Sequence, residues 1–310
     1  MTRDVLRQQI KDYLGIRSEV FTVTWDIVSC EDCGDYSRVL IQYKGSEGDK
    51  VPAYLLLPPG KKPFPAVLIH HQHNSERYFG KSEVCGLAGN PLQAFGVALV
   101  KKGFVVLAPD SICFEDRRKN MKGIIPDENN DFLQHYNEMC YRILKGSSLM
   151  KKVIDDANIG INLLMHHEMV DPKRIGVLGH SYGGNTVLFQ TALNEVIAYA
   201  CSSGAACTYK DKIQNNTGIE MAEVIPGFIS SYEISDLVKC IAPRYLFILS
   251  ATDDKYSRDA EYIEEHGRGE YDALGVNENF VHKRYIGGHA LTEERFDDIV
   301  QWMEVTAAKV

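Results

Sequence analysis

The amino-acid sequence predicts an α/β protein with a mainly parallel central sheet and helices on both faces. Short unbroken apolar runs at 66–69, 104–107, 175–178 and 245–249 are each bounded by Pro, Gly or charge, as expected of strands buried on both faces. Between them lie stretches with helical spacing, notably 86–102, 149–168, 183–194, 257–266 and 293–308. Strands alternating with helices build a parallel sheet. The 310 residues, 45% hydrophobic and 25% charged, are enough to bury a large core without metal or disulfide staples.

Each element has its own signal. Residues 3–14 read as a short amphipathic helix stopping at Gly15. Phe21, Val23, Trp25 and Ile27 alternate with polar residues, as do Val39, Ile41 and Tyr43. That period of two predicts half-buried strands, joined near Cys33-Gly34-Asp35. Residues 53–57 continue the antiparallel meander and stop at Pro58-Pro59. Within 149–168, Leu149, Val153, Ile154, Ile161 and Leu164 recur on one face, and Asp171-Pro172 follows the end. Two longer irregular stretches, 111–146 and 203–240, interrupt the rhythm; such loops are lids or pocket walls. Without repeats or Pro/Ser-rich linkers, 1–310 is expected to be one domain. It would carry an N-terminal extension (1–35), the two inserts and a sheet of about eight strands.

Charge and cysteine usage narrow the partners. A net charge of -8 and a pI near 5.7 argue against a nucleic-acid partner. No apolar run is long enough to span a bilayer, and the charged N-terminus has no signal-peptide core. The expectation is a cytoplasmic protein with no membrane partner; oligomeric state is left open. Eight scattered cysteines are expected to be free thiols, the Cys30-x-x-Cys33 pair included.

The most informative segment is Gly176-Val177-Leu178-Gly179-His180-Ser181-Tyr182-Gly183-Gly184. A buried strand runs straight into a G-x-S-x-G and then into a helix. A nucleophile on such a turn is pushed above the sheet, and crowding demands glycine two residues before and after it. The helix start behind it, at Tyr182, points backbone N–H groups at a developing oxyanion. Ser181 is therefore the candidate nucleophile. The triad order for this architecture is serine, acid, histidine. The strand at 245–249 leads to the adjacent carboxylates Asp253 and Asp254, and Gly287-Gly288-His289 follows the strand at 280–286. His289 is the candidate base. His282 lies within that strand, His166 and His167 sit at a helix end, and His180 is expected to point away from the nucleophile.

These motifs resemble an α/β-hydrolase of the dienelactone-hydrolase-like and acetyl-xylan-esterase-like branch, near the prolyl-oligopeptidase catalytic domain. The resemblance covers about residues 36–305. It is carried by Pro58-Pro59-Gly60, His70-His71-Gln72-His73-Asn74, Ala108-Pro109-Asp110, Gly179–Gly184, Ile241-Ala242-Pro243-Arg244 and Gly288-His289. In that family the acid comes three residues after a position usually held by Gly, here Ala251, which implies Asp254 rather than Asp253. The family's usual His-Gly loop reads His70-His71 here, leaving the Gln72 backbone as the implied second oxyanion donor beside that of Tyr182. True dienelactone hydrolases carry a cysteine nucleophile; this chain has serine, so that substrate does not transfer. The expected reaction is hydrolysis of a small-molecule carboxylic ester by two-step acyl transfer, with no cofactor.

Other motifs have structural readings. His70-His71-Gln72-His73 suggests a metal, but Asn74 stands where a metallo-hydrolase pattern wants Asp, so the loop reads as an active-site rim. Gly80-Lys81-Ser82 mimics the end of a P-loop whose first glycine is missing. Asp110 is expected to pair with Arg117 or Arg118. His71, Phe114 and Tyr136 are expected to line the substrate pocket. A peptidase of prolyl-oligopeptidase type and a non-catalytic hydrolase-fold binding module are the rival readings. The length leaves no room for a propeller, and an intact triad argues against a scaffold.

Overall fold

The computed structural model describes residues 2–310 except Ser18 and Lys62. Helix α1 (Arg3–Leu14) stops at Gly15 as its sequence predicts; the Thr2 hydroxyl caps its start, and Gly15 adopts the left-handed conformation. An antiparallel meander follows: β1 (Trp25–Asp32), β2 (Ser37–Lys44) and β3 (Lys50–Leu57). Helices then alternate with strands: β4 (Phe64–His70), α2 (Lys81–Val84), α3 (Phe95–Lys101) and β5 (Val105–Pro109). Next come α4 (Glu128–Leu144), α5 (Leu149–Met165), β6 (Val170–His180), α6 (Tyr182–Leu193), β7 (Tyr199–Ser203), α7 (Tyr209–Gln214) and α8 (Ile234–Ile241). Last are β8 (Tyr245–Ala251), α9 (Ala260–Leu274), β9 (Phe280–Tyr285) and α10 (Glu293–Ala307).

The strands form one nine-stranded sheet in the order β1-β2-β3-β5-β4-β6-β7-β8-β9. From β5 across to β9 every pair is parallel. The expected α/β class is therefore observed, with nine strands among the described residues rather than about eight. The parallel strands alternate between two cores despite their unbroken apolar sequences. Ala66, Leu68, Val105, Leu107, Leu246 and Ile248 face one core with α1, α5, α6 and α8. Val67, Ile69, Val106, Ala108, Phe247 and Leu249 face the other, with α3 and α10. Gly176 lets β6 into this packing: a Cβ there would lie 2.1 Å from the ring of Tyr199, whose hydroxyl donates to the Ala66 carbonyl at 2.9 Å.

Sheet order reverses at β4: the chain steps to β5 on one side, then returns to lay β6 on the other. Such a reversal opens a crevice at the carboxyl ends of the strands. That places the exits of β4 and β6, at His70 and His180, side by side.

Several boundaries differ from the sequence reading. The stretch 111–146 contains the 17-residue α4, hidden because its buried positions are the polar Asp131 and His135 while Phe132, Leu133, Tyr136 and Leu144 face solvent. Burial there comes through ion pairing with Arg118 and a hydrogen bond from Arg77 rather than an apolar stripe. Likewise 203–240 holds α7 and α8. Strand β1 starts at Trp25 rather than near Phe21, and most of it is exposed as the sheet's edge. Helix α3 begins only at Phe95, after Gly86, Gly89 and Pro91 have spent the chain in turns. All eight cysteines are free. No helix among the described residues is long and apolar enough to cross a membrane.

Candidate active site

Close backbone contacts shape the turn between β6 and α6. Ser181 adopts φ 56° and ψ −121°, a strained conformation for an L residue. Its N–H donates to the Ser203 carbonyl at the end of β7, 2.8 Å away. A Cβ on Gly179 would fall 2.3 Å from the Gly183 carbonyl carbon, and one on Gly183 2.3 Å from the His70 carbonyl oxygen. No rotamer change relieves a clash with backbone, so both positions require glycine. The same close approach sets the N-terminus of α6 against the chain leaving β4. The first N–H groups of that helix have no intrahelical acceptor.

The structure brings Ser181, His289 and Asp254 together. His289 Nε2 lies 2.8 Å from Ser181 Oγ, and His289 Nδ1 lies 3.0 Å from Asp254 Oδ1. A carboxylate only accepts, so Nδ1 carries the proton and Nε2 presents its lone pair to the serine hydroxyl. Asp254 is itself fixed: Tyr256 N–H donates to Oδ1 (2.9 Å) and the Ser257 hydroxyl to Oδ2 (2.7 Å). Burial pushes this carboxyl up, but His289, Ser257 and the Tyr256 N–H outweigh it and hold it below its usual range. Asp253 is exposed, its N–H taken by the Gly287 carbonyl.

His180 packs behind the candidate base: its ring centroid is 5.0 Å from that of His289, with Nδ1 3.0 Å from Ser203 Oγ. Gly204 makes the room, since a Cβ there would lie 2.9 Å from His180 and 3.1 Å from His289. Burial, reinforced by His289, drives the His180 pKa down to about 3, so it supports the second imidazole as a neutral ring.

Ser181 and His289 open into a cavity of about 160 Å³. Its remaining walls include His73 from the loop after β4, Asn185 from α6, Lys212, Glu220 and Glu223 from the 203–240 stretch, and Tyr256. Asn185 follows Ser181 by four residues, a helical spacing from which it was readable. Glu220 and Glu223 carry no local signal; only tertiary folding brings their segment here.

The expected pocket residues lie elsewhere. His71 is buried, with Nδ1 2.8 Å from the Gln72 carbonyl and Nε2 accepting the Ser111 N–H at 3.1 Å. It therefore braces the loop and is not among the cavity's walls. Phe114 is also buried, its ring stacked on that of Tyr182 at 5.4 Å, and it is not among the cavity's walls. Tyr136 is exposed and stacks on Phe132 along the outer face of α4. The Gln72 side chain turns to Glu83, at 3.0 and 3.1 Å; from its loop His73, Asn74 and Ser75 line the cavity. The four-residue histidine loop does not converge on a point, because His70 Nε2 turns to Gln190 Oε1 at 2.7 Å while His71 braces the backbone.

Asp110 pairs neither with Arg117 nor with Arg118 through its carboxylate. It binds the Lys81 N–H (2.8 Å) and Nζ (3.0 Å), while Arg117 reaches only its backbone carbonyl. Ser82 N–H and Oγ donate to Glu115. The donors of Lys81 and Ser82 in the P-loop-like Gly80-Lys81-Ser82 are thus engaged within the protein.

A serine on a strand–helix turn, with a carboxylate after β8 and an imidazole after β9, defines the α/β-hydrolase class. Within it, the chain belongs to the Dienelactone hydrolase family, whose model matches residues 51–223. That match takes in Ser181 and ends before Asp254 and His289. A curated relative, "Putative hydrolase YtaP" of Bacillus subtilis, is 26% identical over 275 residues, covering 86% of each chain. Among solved structures, a "putative acetyl xylan esterase" from Bacteroides fragilis superposes with a TM-score of 0.75 at 16% identity, over 91% of this chain and 74% of that one. A glucuronoyl esterase from Solibacter usitatus superposes with a TM-score of 0.66 at 13% identity, over 97% and 92%. At such identities these structures share the fold.

Proposed function

We propose that this hydrolase is a serine-dependent carboxylic ester hydrolase acting by two-step acyl transfer. The observation that carries the reading is the unbroken line Ser181 Oγ, His289 Nε2, His289 Nδ1, Asp254 Oδ1, with contacts of 2.8 and 3.0 Å. Ser181 Oγ bonds to the ester carbonyl carbon as its proton passes to His289 Nε2. Asp254 holds the tautomer and stabilises the imidazolium. The C–O bond to the alcohol breaks and His289 returns the proton to the leaving oxygen. Water then attacks the acyl-enzyme, again losing its proton to His289, and Ser181 leaves with that proton. The oxyanion is met by the Tyr182 N–H at the start of α6 and by a backbone N–H of the loop after β4, at Gln72 or its neighbour His73. Each such donor lowers the barrier by about 3–4 kcal/mol.

The substrate class is a small-molecule or carbohydrate ester, which the family and the esterase names of the structural neighbours support. The whole chain is read as one hydrolase unit, with 203–240 supplying a wall of the cavity. A fluorophosphonate probe tests the reading. One label is expected, at Ser181 and absent from Ser181→Ala; labelling that survives the substitution would sink it.

A further inference from the structure

We propose that Glu220, His73 and Asn185 form a hydroxyl-binding subsite beside Ser181, selecting esters that carry hydroxyl groups over alkyl esters of equal size. This rests on the reading of Ser181 as nucleophile given above. The three side chains reach one cavity from three elements, and each has hydrogen-bonding capacity that the protein leaves unused. Asn185 lies one helical turn beyond Ser181 on α6. It is 7% exposed, and its Oδ1 has no partner among the described residues. A buried amide oxygen without a donor is costly; at a cavity wall, a ligand can supply that donor.

His73 contributes the opposite polarity. Its Nδ1 accepts the Ser75 N–H at 3.2 Å, so the proton of the neutral ring sits on Nε2, which also lacks a partner. Burial drives the His73 pKa to about 3, which keeps the ring neutral. Glu220 Oε1 lies 3.6 Å from His73 Nδ1, and no hydrogen-bond donor reaches this carboxyl among the described residues. Neighbouring Glu223 is different: both its oxygens are taken by Lys212 Nζ, at 2.8 and 2.9 Å.

The mix of polarities selects the ligand. A carboxylate ligand only accepts and would meet Glu220 and the Asn185 oxygen unfavourably. An ammonium only donates, leaves the His73 N–H unanswered and feels the charges of Lys212 and Arg77. A hydroxyl both donates and accepts, so a neighbouring pair of hydroxyls answers all three side chains, one donating to Glu220, the other to Asn185 Oδ1, and either accepting from His73 Nε2–H. Burial and Glu223 raise the Glu220 carboxyl to about 7, so near neutrality it too can accept or donate.

The test compares kcat/KM for 2,3-dihydroxypropyl acetate and propyl acetate, with acid release followed by pH-stat. Dividing each variant's ratio by the wild-type ratio cancels the intrinsic reactivities of the esters. Glu220→Leu and Asn185→Ala are each expected to lower the ratio at least fivefold, while Glu220→Gln, which keeps the hydrogen bonding, holds it within threefold. Should Glu220→Leu fail to fold, Asn185→Ala carries the test. Ratios within twofold of wild type in both variants would overturn the subsite. So would a preference for acetylcholine over both esters that Glu220→Gln abolishes. If Ser181→Ala is inactive and the ratios do not move, only the subsite falls; turnover surviving Ser181→Ala removes the nucleophile and the subsite together.

Discussion

Asp254 and Asp110 both follow parallel strands, both are buried, and both contact a basic side chain, yet their surroundings differ. Around Asp110 the donors and acceptors close on themselves. Lys81 Nζ reaches Asp110, Glu115 and Asp116, Ser82 reaches Glu115, and the Lys81 side chain is 1% exposed. Burial pushes the Lys81 ammonium down, and the combined pull of the three carboxylates more than reverses it. Around Asp254 the line runs outward, through an imidazole 28% exposed to a hydroxyl on a cavity wall. Each cluster joins an aspartate, a basic side chain and a serine. What separates them is whether the hydrogen-bonded chain ends on a group that can take a new bond.

Substitutions sharpen that contrast. The largest effect is expected from Asp254→Asn, which leaves the packing intact but lets His289 carry its proton on the wrong nitrogen. Turnover of nitrophenyl acetate should fall about ten-thousand-fold with little change in Tm. A loss below tenfold would mean that the outward line is not used.

Lys81→Met should do the reverse. Stranding three acidic side chains costs about 3–5 kcal/mol, seen as a Tm lower by roughly 6–12 °C, while kcat of the folded fraction stays within twofold. Loss of kcat at unchanged Tm would break the comparison.

The smallest effects concern pH, and they have opposite signs. Asp254 is held below the usual aspartate value of 3.8, so its contribution to stability is present above that pH and lost as acid protonates the folded state. The fall in Tm between pH 6 and pH 3 should be shallower in Asp254→Asn than in wild type. Glu220 is raised from 4.5 to about 7, so its contribution is present below pH 4.5 and lost as pH climbs through about 7. Its side chain keeps 23% of its surface open, which makes this the weaker of the two. Glu220→Gln should lose less Tm than wild type between pH 5 and pH 8.

Much of the fold is legible in the sequence because burial on both faces leaves unbroken apolar runs, and because glycines mark the turn at Ser181. The helix at 149–165 is equally plain, its apolar face recurring at helical spacing. Helix α4 is not, since ion pairing and hydrogen bonding rather than apolar contact bury its inner face. The pocket residues mislead for a related reason. Phe114 looks like a lining side chain, but its ring is consumed in packing against Tyr182, and the aromatic insert around Tyr136 turns outward.

By itself the sequence determined the parallel sheet, the strained turn that carries Ser181 and the separate strand ends that carry the Asp253-Asp254 pair and His289, because each leaves a local signature in periodicity or in glycine spacing. Only the tertiary structure decided that Lys81 closes over Asp110, that His180 lies against His289, and that Glu220 meets His73 and Asn185 across one cavity. Those are pairings between distant segments, set by which surfaces the packed core leaves facing one another.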